Sequence, residues 1–451
     1  MDWNWGNLLT VVRWNRVLNN KLFMNATGYF TRYRFDLGLK NGFQSNNPKN
    51  QNYDASITYK SGIQDYSGKI EFDYAPNSNH DIKFGTNYVN HTFRPGVFVA
   101  VTHEGEITPM DTVVGDKNIS AYEMIGYVED NFNIGSFIKA NLGLHYSTFS
   151  VQGEFYQSLE PRVSIRTLVK EDLSLKASYT QMSQYIHLLS NNNISLPTDL
   201  WVPVTKRIVP MKSQQAALGV FYNLKNIVDL SVEGYYKTMD NIIEYKDGAT
   251  FLDINTGWED KVSMGRGWAY GVEFMAQKTV GKTTGWIGYT WAKSERLFDR
   301  PGQEINFGKV FPAKYDRRHD LSLVAMHKFN EKIDLSGTWV YSSGDCATLG
   351  LQNYSDLLFS GELSYIDQRN NYRKPSYHRL DLGINFHKKK KHGTRTWNIS
   401  VYNIYNRNNP FFIYPDYKDI YLSNGAYRSE KVLKQVSIFP IIPSITYIYS
   451  F

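Results

Sequence analysis

The chain has 451 residues, with 50 Lys and Arg against 43 Asp and Glu, and 15% of its residues are aromatic. A single cysteine, Cys346, excludes an internal disulfide framework and any multi-cysteine metal site. The sequence contains no run of about 18 apolar residues, which excludes a transmembrane helix. The net charge of +7 includes one basic run, at 388–391, whereas a nucleic-acid-binding protein would concentrate its charge on one face.

The sequence of residues 1–17 is typical of a β-strand. Residues 1–17 lack the charged n-region and apolar h-region of a secretory signal peptide. The first connection is a short turn at Asn19 and Asn20; if the chain forms an outer-membrane barrel, as the alternation described below indicates, short turns lie on the periplasmic side and the first strand runs towards it. Because bacterial barrels place both chain ends on the periplasmic side, this direction predicts that an odd number of strands precedes Met1. We therefore expect residues 1–451 to be the C-terminal part of a barrel domain, without a signal peptide.

Apolar and polar residues alternate in many stretches of the chain. The pattern is clear at 379–386, where Leu380 and Leu382 alternate with Arg379 and Asp381. Charged residues on one face of so many strands do not suit the dry core of a β-sandwich, but they suit a water-filled lumen behind a lipid-facing surface. The alternation predicts that Arg379 and Asp381 face such a lumen.

Short turns and long connections follow each other in a regular order. The short turns fall near 18–20, 76–80, 132–136, 170–172, 224–226, 280–284, 330–332 and 388–395. One brief link, near 150–156, falls where a long connection is due. Short periplasmic turns alternating with long extracellular loops are typical of outer-membrane barrels. The predicted fold class is therefore all-β, a transmembrane antiparallel β-barrel with about seventeen strands in this chain.

A glycine-rich stretch at 264–271 resembles a phosphate-binding loop at first sight. Such a loop requires a helix after it, whereas the residues that follow Gly271 continue an alternating strand. The stretch is therefore predicted to be a barrel strand in which backbones approach closely.

Charged and aromatic residues near the long connections are the candidates for function. Arg317, Arg318 and Asp320 open a strand, which favours an ion-pair network at the rim or in the lumen over acid–base catalysis. Trp201 and Trp258 lie within long connections rather than at strand ends, so either ring could stack on a planar ligand. Packing of one loop on another over the barrel mouth is the simpler alternative for both.

The last residues form an aromatic strand without a tail. Ile445, Tyr447, Tyr449 and Phe451 share one face of it. In a soluble protein such a strand would be an aggregation-prone edge, whereas a barrel pairs the edge and places the rings in lipid or at its interface. Tyr447, Tyr449 and Phe451 are thus predicted to belong to the membrane-closing strand.

Several stretches resemble the C-terminal barrel of TonB-dependent outer-membrane receptors, particularly the Bacteroidota type. They lie at 5–15, 196–203, 315–321 and 398–411. The resemblance implies a barrel of roughly 22 strands with a plugged lumen. About 17 of those strands would be present here, and neither the plug nor the first strands would be part of this chain.

The resemblance also implies a function. A receptor of this family would lie in the outer membrane of a Gram-negative bacterium and take up a siderophore, cobalamin, peptide or glycan. Its expected partners are outer-membrane lipid, the small or oligomeric nutrient, TonB through the absent plug, and a surface lipoprotein.

Other function classes remain as alternatives. A passive porin or a structural barrel would share the wall but not the plug, and a soluble β-sandwich would bury the alternate apolar faces against each other. No serine–histidine or paired-carboxylate constellation predicts an enzyme, and no histidine spacing predicts a metal site. We expect no cofactor and no nucleic-acid partner.

Overall fold

Long antiparallel strands make up most of the structure. The computed structural model describes residues 2–43, 53–104, 110–115, 118–190, 200–249, 256–350, 352–355, 362–421 and 427–451. The wall strands are β1 (Asp2–Asn19), β2 (Leu22–Phe43), β3 (Tyr53–Asn77), β4 (His80–Glu104), β5 (Ile119–Ile134), β6 (Ile138–Val151), β7 (Glu154–Lys170), β8 (Leu173–Gln184), β9 (Met211–Leu224), β10 (Val228–Tyr245), β11 (Val262–Lys278), β12 (Thr283–Leu297), β13 (His319–Asn330), β14 (Ile333–Ser342), β15 (Tyr377–Lys390), β16 (Gly393–Tyr402) and β17 (Ile442–Ser450).

The remaining elements lie in the connections between the wall strands. They are the strands Met110–Gly115, Ile186–Leu189, Leu200–Pro203, Phe311–Pro312, Cys346–Ala347, Gln352–Ser355, Glu362–Tyr365, Tyr372–Arg373, Phe412–Tyr421 and Tyr427–Val436, and the 3₁₀ turns Trp258–Lys261 and Asn306–Gly308. No helix among the described residues is long and apolar enough to cross a membrane. Residues 196–199 of the family-like stretch at 196–203 lie outside the described residues.

The wall strands pair in chain order, each antiparallel to the next, from β1 to β17. The described sheet counts nineteen strands because Met110–Gly115 adds to β4 and Phe311–Pro312 adds to β12. The prediction of an all-β fold with about seventeen antiparallel wall strands is confirmed. β1 pairs with β2 and β17 pairs with β16, so these two strands are the edges of the described sheet.

Asparagine side chains close several of the short turns. The Oδ1 atoms of Asn19, Asn77, Asn223 and Asn330 each accept a backbone N–H two or three residues later, at 2.7–2.9 Å. An Asn side chain can replace a backbone carbonyl in this way, which is why the residue is common in tight turns. The short turns fall where the sequence predicts them, and β6 and β7 are joined by the brief link near 150–156.

One face of the wall exposes large apolar side chains. On β9, Leu218, Val220 and Tyr222 occupy alternate positions and are 69%, 45% and 37% exposed. On β6, Leu142 and Leu144 are also exposed. A soluble monomer rarely exposes so continuous an apolar surface, whereas the lipid-facing side of a barrel requires one.

Aromatic rings border this apolar surface. The rings of Tyr236 and Tyr270 have centroids 6.3 Å apart, and Tyr270 lies 6.0 Å from Trp291 on the next strand. Along β10 and β11 these rings lie on the extracellular side of the aliphatic residues Leu218 and Val220. Aromatic belts of this kind sit at the boundary between hydrocarbon and water.

The opposite face carries polar side chains that bond from strand to strand. Asn385 donates to Asp334 Oδ1 at 2.7 Å, and Asn398 donates to Asn385 Oδ1 at 2.8 Å. Asn141 donates to Asn131 at 2.9 Å in the same manner. Polar residues alternating with lipid-facing ones along each strand are what a wet lumen requires.

The last strand presents its aromatics on the apolar face. The ring centroids of Tyr447 and Trp397 of β16 are 4.9 Å apart, and those of Tyr449 and Phe451 are 5.1 Å apart. Tyr447 is 51% exposed, and β17 ends at Ser450, one residue before Phe451. These rings therefore lie on the side of the wall that carries the exposed aliphatic residues.

The glycine-rich stretch is part of β11, as predicted. A Cβ atom at Gly265 would lie 2.5 Å from the carbonyl oxygen of Leu297, and one at Gly271 would lie 2.6 Å from that of Trp291. Contacts this short are not possible for a side chain, so the glycines serve the close packing of β11 on β12.

Candidate functional site

The mouth of the wall is filled by chain segments that fold inwards. The strands Ile186–Leu189 and Leu200–Pro203 pair with each other after β8; Leu200–Pro203 contacts β3 and β4, and Ile186–Leu189 contacts β10. Since β4 and β8 are four strands apart in the sheet, this mouth hairpin extends away from its own strand towards another part of the wall.

An apolar cluster joins the mouth hairpin to distant parts of the wall. Leu189, Leu200 and Val202 of the hairpin are at most 2% exposed. They belong to one buried cluster with Phe35 and Leu37 of β2, Tyr59 of β3, Ile243 and Tyr245 of β10, Trp258, Ile208 and Val262. Burial of these side chains supplies the hydrophobic free energy that holds the hairpin in the mouth.

A second set of contacts holds Tyr185, the residue between β8 and the mouth hairpin. Tyr185 stacks on Phe149 of β6 with ring centroids 5.0 Å apart, and its hydroxyl lies 2.8 Å from Ser147 Oγ. Ser147 in turn donates to Glu160 Oε1 at 3.0 Å. Stacking and hydrogen bonding together determine where the chain leaves β8.

A β-bulge at Asn241 brings an acidic residue into the mouth. Asp240 pairs with Arg266 and Ile242 pairs with Gly265, so one extra residue stands in β10 at φ 60°. The extra residue shifts the alternation of inward-facing and outward-facing side chains by one position. Met239, before the bulge, faces inwards, and after the bulge Ile242 and Glu244 face the same side. Glu244 is therefore placed inside the mouth.

Glu244 is the centre of a buried ion network. Its Oε1 lies 3.2 Å from Arg296 Nε, and its Oε2 accepts from Arg369 Nε at 3.1 Å. Arg369 also donates to Asp247 Oδ1 at 3.0 Å and, through its backbone N–H, to Asn306 Oδ1 at 2.9 Å. The network ties β10, β12 and the segments around residues 306 and 369 to one another.

Asp316 forms a second ion network beside the first. It is 2% exposed and accepts from the backbone N–H of Ser294 at 2.7 Å. Arg318 and Arg373 both donate to its Oδ2, the former at 3.2 Å. A buried carboxylate is stable only with such partners, so Asp316 holds the strand Tyr372–Arg373 close to β12.

A cavity of about 260 Å³ lies between these networks and the mouth hairpin. Its lining combines apolar, aromatic and charged side chains: Gln184, His187, Leu188, Ser190, Met211, Met239, Ile242, Ile243, Glu244, Arg296, Lys314 and Tyr315. About half of these side chains are apolar or aromatic and the other half are polar or charged. Small-molecule sites combine apolar walls with polar groups that fix the orientation of the ligand. This mouth cavity is the candidate binding site.

His187 is the neutral imidazole of the mouth cavity. It is 3% exposed, and burial lowers its pKa to about 4, although a hydrogen bond to the backbone of Val209 acts in the opposite direction. Its Nε2 atom is buried without a hydrogen-bond partner among the described residues, so Nδ1 makes the bond to Val209 and Nε2 carries a bare lone pair.

We expect acid to loosen the mouth through His187. Its pKa is lower in the folded protein than the ordinary 6.5, so the unfolded segment binds a proton first. The stabilising contribution is complete above about pH 6.5 and is lost as the pH falls towards about 4. Thermal unfolding between these pH values should show a steeper pH dependence for the wild type than for His187→Gln. Equal slopes would contradict the buried neutral imidazole.

Comparisons with known proteins identify the family. The sequence profile described as TonB dependent receptor-like, beta-barrel matches residues 2–406. The chain belongs to the TonB-dependent receptor family. The predicted family is thereby confirmed, whereas the Bacteroidota type stays a prediction. No curated protein sequence matches the chain.

Solved structures of low sequence identity share the fold of this TonB-dependent receptor barrel. The siderophore receptor PiuA from Acinetobacter baumannii has a TM-score of 0.62 at 12% identity, with 98% of this chain and 64% of that chain covered. The ferric-catecholate import receptor Fiu from E. coli K12 has a TM-score of 0.58 at 11% identity, with 99% and 64% covered.

The pyoverdine receptor FpvA from Pseudomonas aeruginosa PAO1 has a TM-score of 0.59 at 13% identity, with 91% of this chain and 58% of that chain covered. The chain thus spans less than two thirds of each of these proteins. The family and the fold place the barrel in the outer membrane of a Gram-negative bacterium, as predicted.

The predicted charged residues of the receptor barrel lie near its mouth. Arg318 pairs with the buried Asp316, whereas Arg317 and Asp320 are exposed. Arg379 pairs with Asp381 at 2.9 Å and donates to the hydroxyl of Tyr402 at 2.7 Å.

The two tryptophans differ in their surroundings. Trp258 is 5% exposed within the apolar cluster of the mouth, which agrees with packing of one segment on another, and its contact with a ligand stays a prediction. Trp201 is half-buried and lies opposite Leu188, which lines the cavity. Its ligand contact stays a prediction.

Sequence reasoning missed the residues that build the cavity. Arg296, Arg369 and Glu244 stand in no local motif, because their contacts join segments up to 125 residues apart. Asp316 could have been found from the sequence, because it directly precedes Arg317 and Arg318, the charged residues just before β13.

Proposed function

We propose that the chain forms the barrel wall and most outer loops of a receptor that imports a small-molecule or oligomeric nutrient across the outer membrane. The structure of the mouth supports this proposal, because inward-folded segments fill it and leave a cavity lined by apolar, aromatic and charged side chains. A porin instead keeps its lumen open as an aqueous channel. The barrel would act as a transporter, without an enzymatic step or a cofactor.

The structural neighbours support uptake of a small molecule. By name, one imports ferric catecholates, one is a siderophore receptor and one is bound to pyoverdine. For this chain, siderophores, cobalamin, peptides and glycans are the nutrient classes to test.

The proposed domain assignment follows from the family. Residues 1–451 would be the C-terminal part of the barrel, and the complete receptor would include a plug inside the lumen and a segment that contacts TonB. Lipid would surround the exposed apolar face, and a surface lipoprotein is the proposed partner at the mouth.

Nutrient depletion tests the proposal. We expect a bacterium carrying the complete reading frame to remove at least one compound from rich medium, as measured by mass spectrometry. Deletion of the gene should abolish this removal, and deletion of TonB should abolish it equally, because energy must come from the inner membrane.

Two outcomes would contradict the proposal. Removal that needs the gene but not TonB would indicate a passive porin. If no compound depended on the gene, the barrel would have no role in transport.

A further inference from the structure

A row of three cationic side chains crosses three neighbouring strands of the wall. Arg166 of β7 lies directly opposite Lys139 of β6 on one side and Lys176 of β8 on the other. These residues alternate with lipid-facing ones such as Leu175, which is 45% exposed, so all three share the lumen face. They lie close to the short turns that join β5 to β6 and β7 to β8, which places this cationic row near the periplasmic end of the lumen.

The cationic row forms no ion pair with any carboxylate of the residues that the structure describes. Glu233 of β10, the acidic residue that lines the adjoining cavity, is separated from Lys176 by Gly219 of β9. The ammonium of Lys176 lies 3.6 Å from the centre of the Phe221 ring, a contact that orients the cation but does not cancel its charge. Like charges directly opposite each other destabilise a sheet, so the wall by itself gains nothing from this row.

A cavity of about 340 Å³ lies between the cationic row and the next row of the lumen face. That next row contributes the amide of Asn141 and the hydroxyls of Ser164 and Ser178, which lie opposite one another across β6, β7 and β8. The volume falls within the range of about 300–1,000 Å³ that is usual for small-molecule sites. Guanidinium and ammonium groups on one side, with hydroxyl and amide groups on the other, are the donors that bind phosphate oxygens.

From this arrangement we infer that the inner wall of β6, β7 and β8 binds a phosphate-type dianion. The guanidinium of Arg166 would form two parallel hydrogen bonds with the oxyanion, and the ammonium groups of Lys139 and Lys176 would flank it. A dianion fits better than a monoanion because it offsets more of the charge of three cations. The site lies deeper in the lumen than the mouth cavity. Its role rests on the proposed uptake function, since it would hold a phosphorylated solute on the way to the periplasm.

Three probes that share one body test the inference without knowledge of the natural solute. They are 4-fluorophenylphosphonate, 4-fluorobenzenesulfonate and 4-fluorobenzenesulfonamide, which in weakly alkaline buffer carry two, one and no negative charges. Their binding to the purified receptor, expressed from its complete reading frame, is measured by fluorine NMR at low ionic strength. We expect the phosphonate to bind at least about tenfold more tightly than the sulfonate, and the sulfonamide to bind more weakly than either.

Variants of the cationic row should remove the preference for the dianion. Arg166→Gln should weaken binding of the phosphonate at least about tenfold, and Lys139→Met and Lys176→Met should each weaken it several-fold. Arg166→Lys keeps the charge but not the planar fork, so it should retain part of the affinity. The control variants are Arg13→Gln and Lys83→Met, which remove the same charges from exposed positions outside the cavity lining.

The stability of the wall provides an independent measurement. Arg166→Gln removes one of three adjacent like charges and breaks no ion pair, so its thermal unfolding temperature should equal or exceed that of the wild type. Lost binding in a variant of unchanged stability then reports on the site and not on folding. A lower unfolding temperature would show that Arg166 has a partner within the receptor, and it would count against an anion site.

The outcomes separate this inference from the uptake proposal. Equal binding of phosphonate and sulfonate, or an equal loss in the control variants, would overturn the dianion site. No binding of the phosphonate at millimolar concentration would overturn it as well, because an acidic part of the receptor would then cover the cationic row. TonB-dependent depletion of a nutrient could still be observed in each of those cases. Conversely, phosphonate-selective binding without any gene-dependent uptake would support the dianion site and contradict transport.

Discussion

Arg369→Met should lower the free energy of local opening of the mouth by about 3 kcal/mol, the lower end of the range for a broken buried pair, because the buried carboxylate of Glu244 loses one of its two counter-ions and keeps only Arg296. Arg369 and Glu244 are both 7% exposed, and the lost contacts are those at 3.1 Å to Glu244 and 3.0 Å to Asp247. Hydrogen exchange followed by mass spectrometry should show faster exchange in 298–308 and 365–374, the segments that these contacts hold.

Arg266→Met is the matched control for that variant. Arg266 pairs with Asp299 at 2.8 Å, but both side chains are about half exposed, and a solvated pair contributes roughly 0–1 kcal/mol. Its exchange pattern should resemble that of the wild type. Unchanged protection in Arg369→Met would show that the apolar clusters alone hold the mouth closed.

Leu218→Arg should destabilise the barrel by roughly 2–4 kcal/mol, as expected for a cation in the lipid-facing surface near the bilayer midplane. Leu218 is 69% exposed and lies on β9 between Tyr222 and the level of Tyr236 on β10, the aromatic residues that border the apolar surface. Folding titrations in lipid vesicles, with urea as denaturant, measure the loss.

Gln215→Arg provides the comparison on the same strand. Gln215 lies on the opposite, polar face, where a cation meets water and neighbouring polar groups, so little stability should be lost. A similar loss from both variants would mean that the two faces of β9 do not differ in their surroundings.

The wall could be predicted from the sequence because its signals are local. Alternation at 379–386 and the turn residues at Asn19, Asn77 and Asn330 depend on neighbours within a few positions, and the structure follows them. The antiparallel pairing of strands joined by a short turn then follows from the turn itself. The pairs across long connections follow from the barrel, in which each strand lies beside the next.

The mouth could not be predicted in the same way. The pairing of Glu244 with Arg369 joins residues 125 apart, and it requires the bulge at Asn241 to turn Glu244 inwards. The sequence places Trp258 within a long connection and leaves ligand stacking and loop packing open, whereas the contacts of its ring come from residues of β2, β3 and β10 far along the chain. Contacts between distant segments decide the candidate site, and no local pattern encodes them.

A cysteine scan along β9 tests the central claim that the strands separate lipid from a wet lumen. In a Cys346→Ser background, each residue of Met211–Leu224 is replaced by cysteine, spin-labelled and reconstituted in vesicles. Accessibility to lipid-soluble oxygen and to a water-soluble nickel chelate is measured by electron paramagnetic resonance.

The wall described here predicts two opposite oscillations with a period of two residues. Oxygen accessibility should peak at Leu218, Val220 and Tyr222, and nickel accessibility should peak at the alternate positions, such as Gln215 and Ala217. Oxygen accessibility that stays low at Leu218, Val220 and Tyr222 would indicate that this face packs in a dry core, and it would contradict a transmembrane barrel.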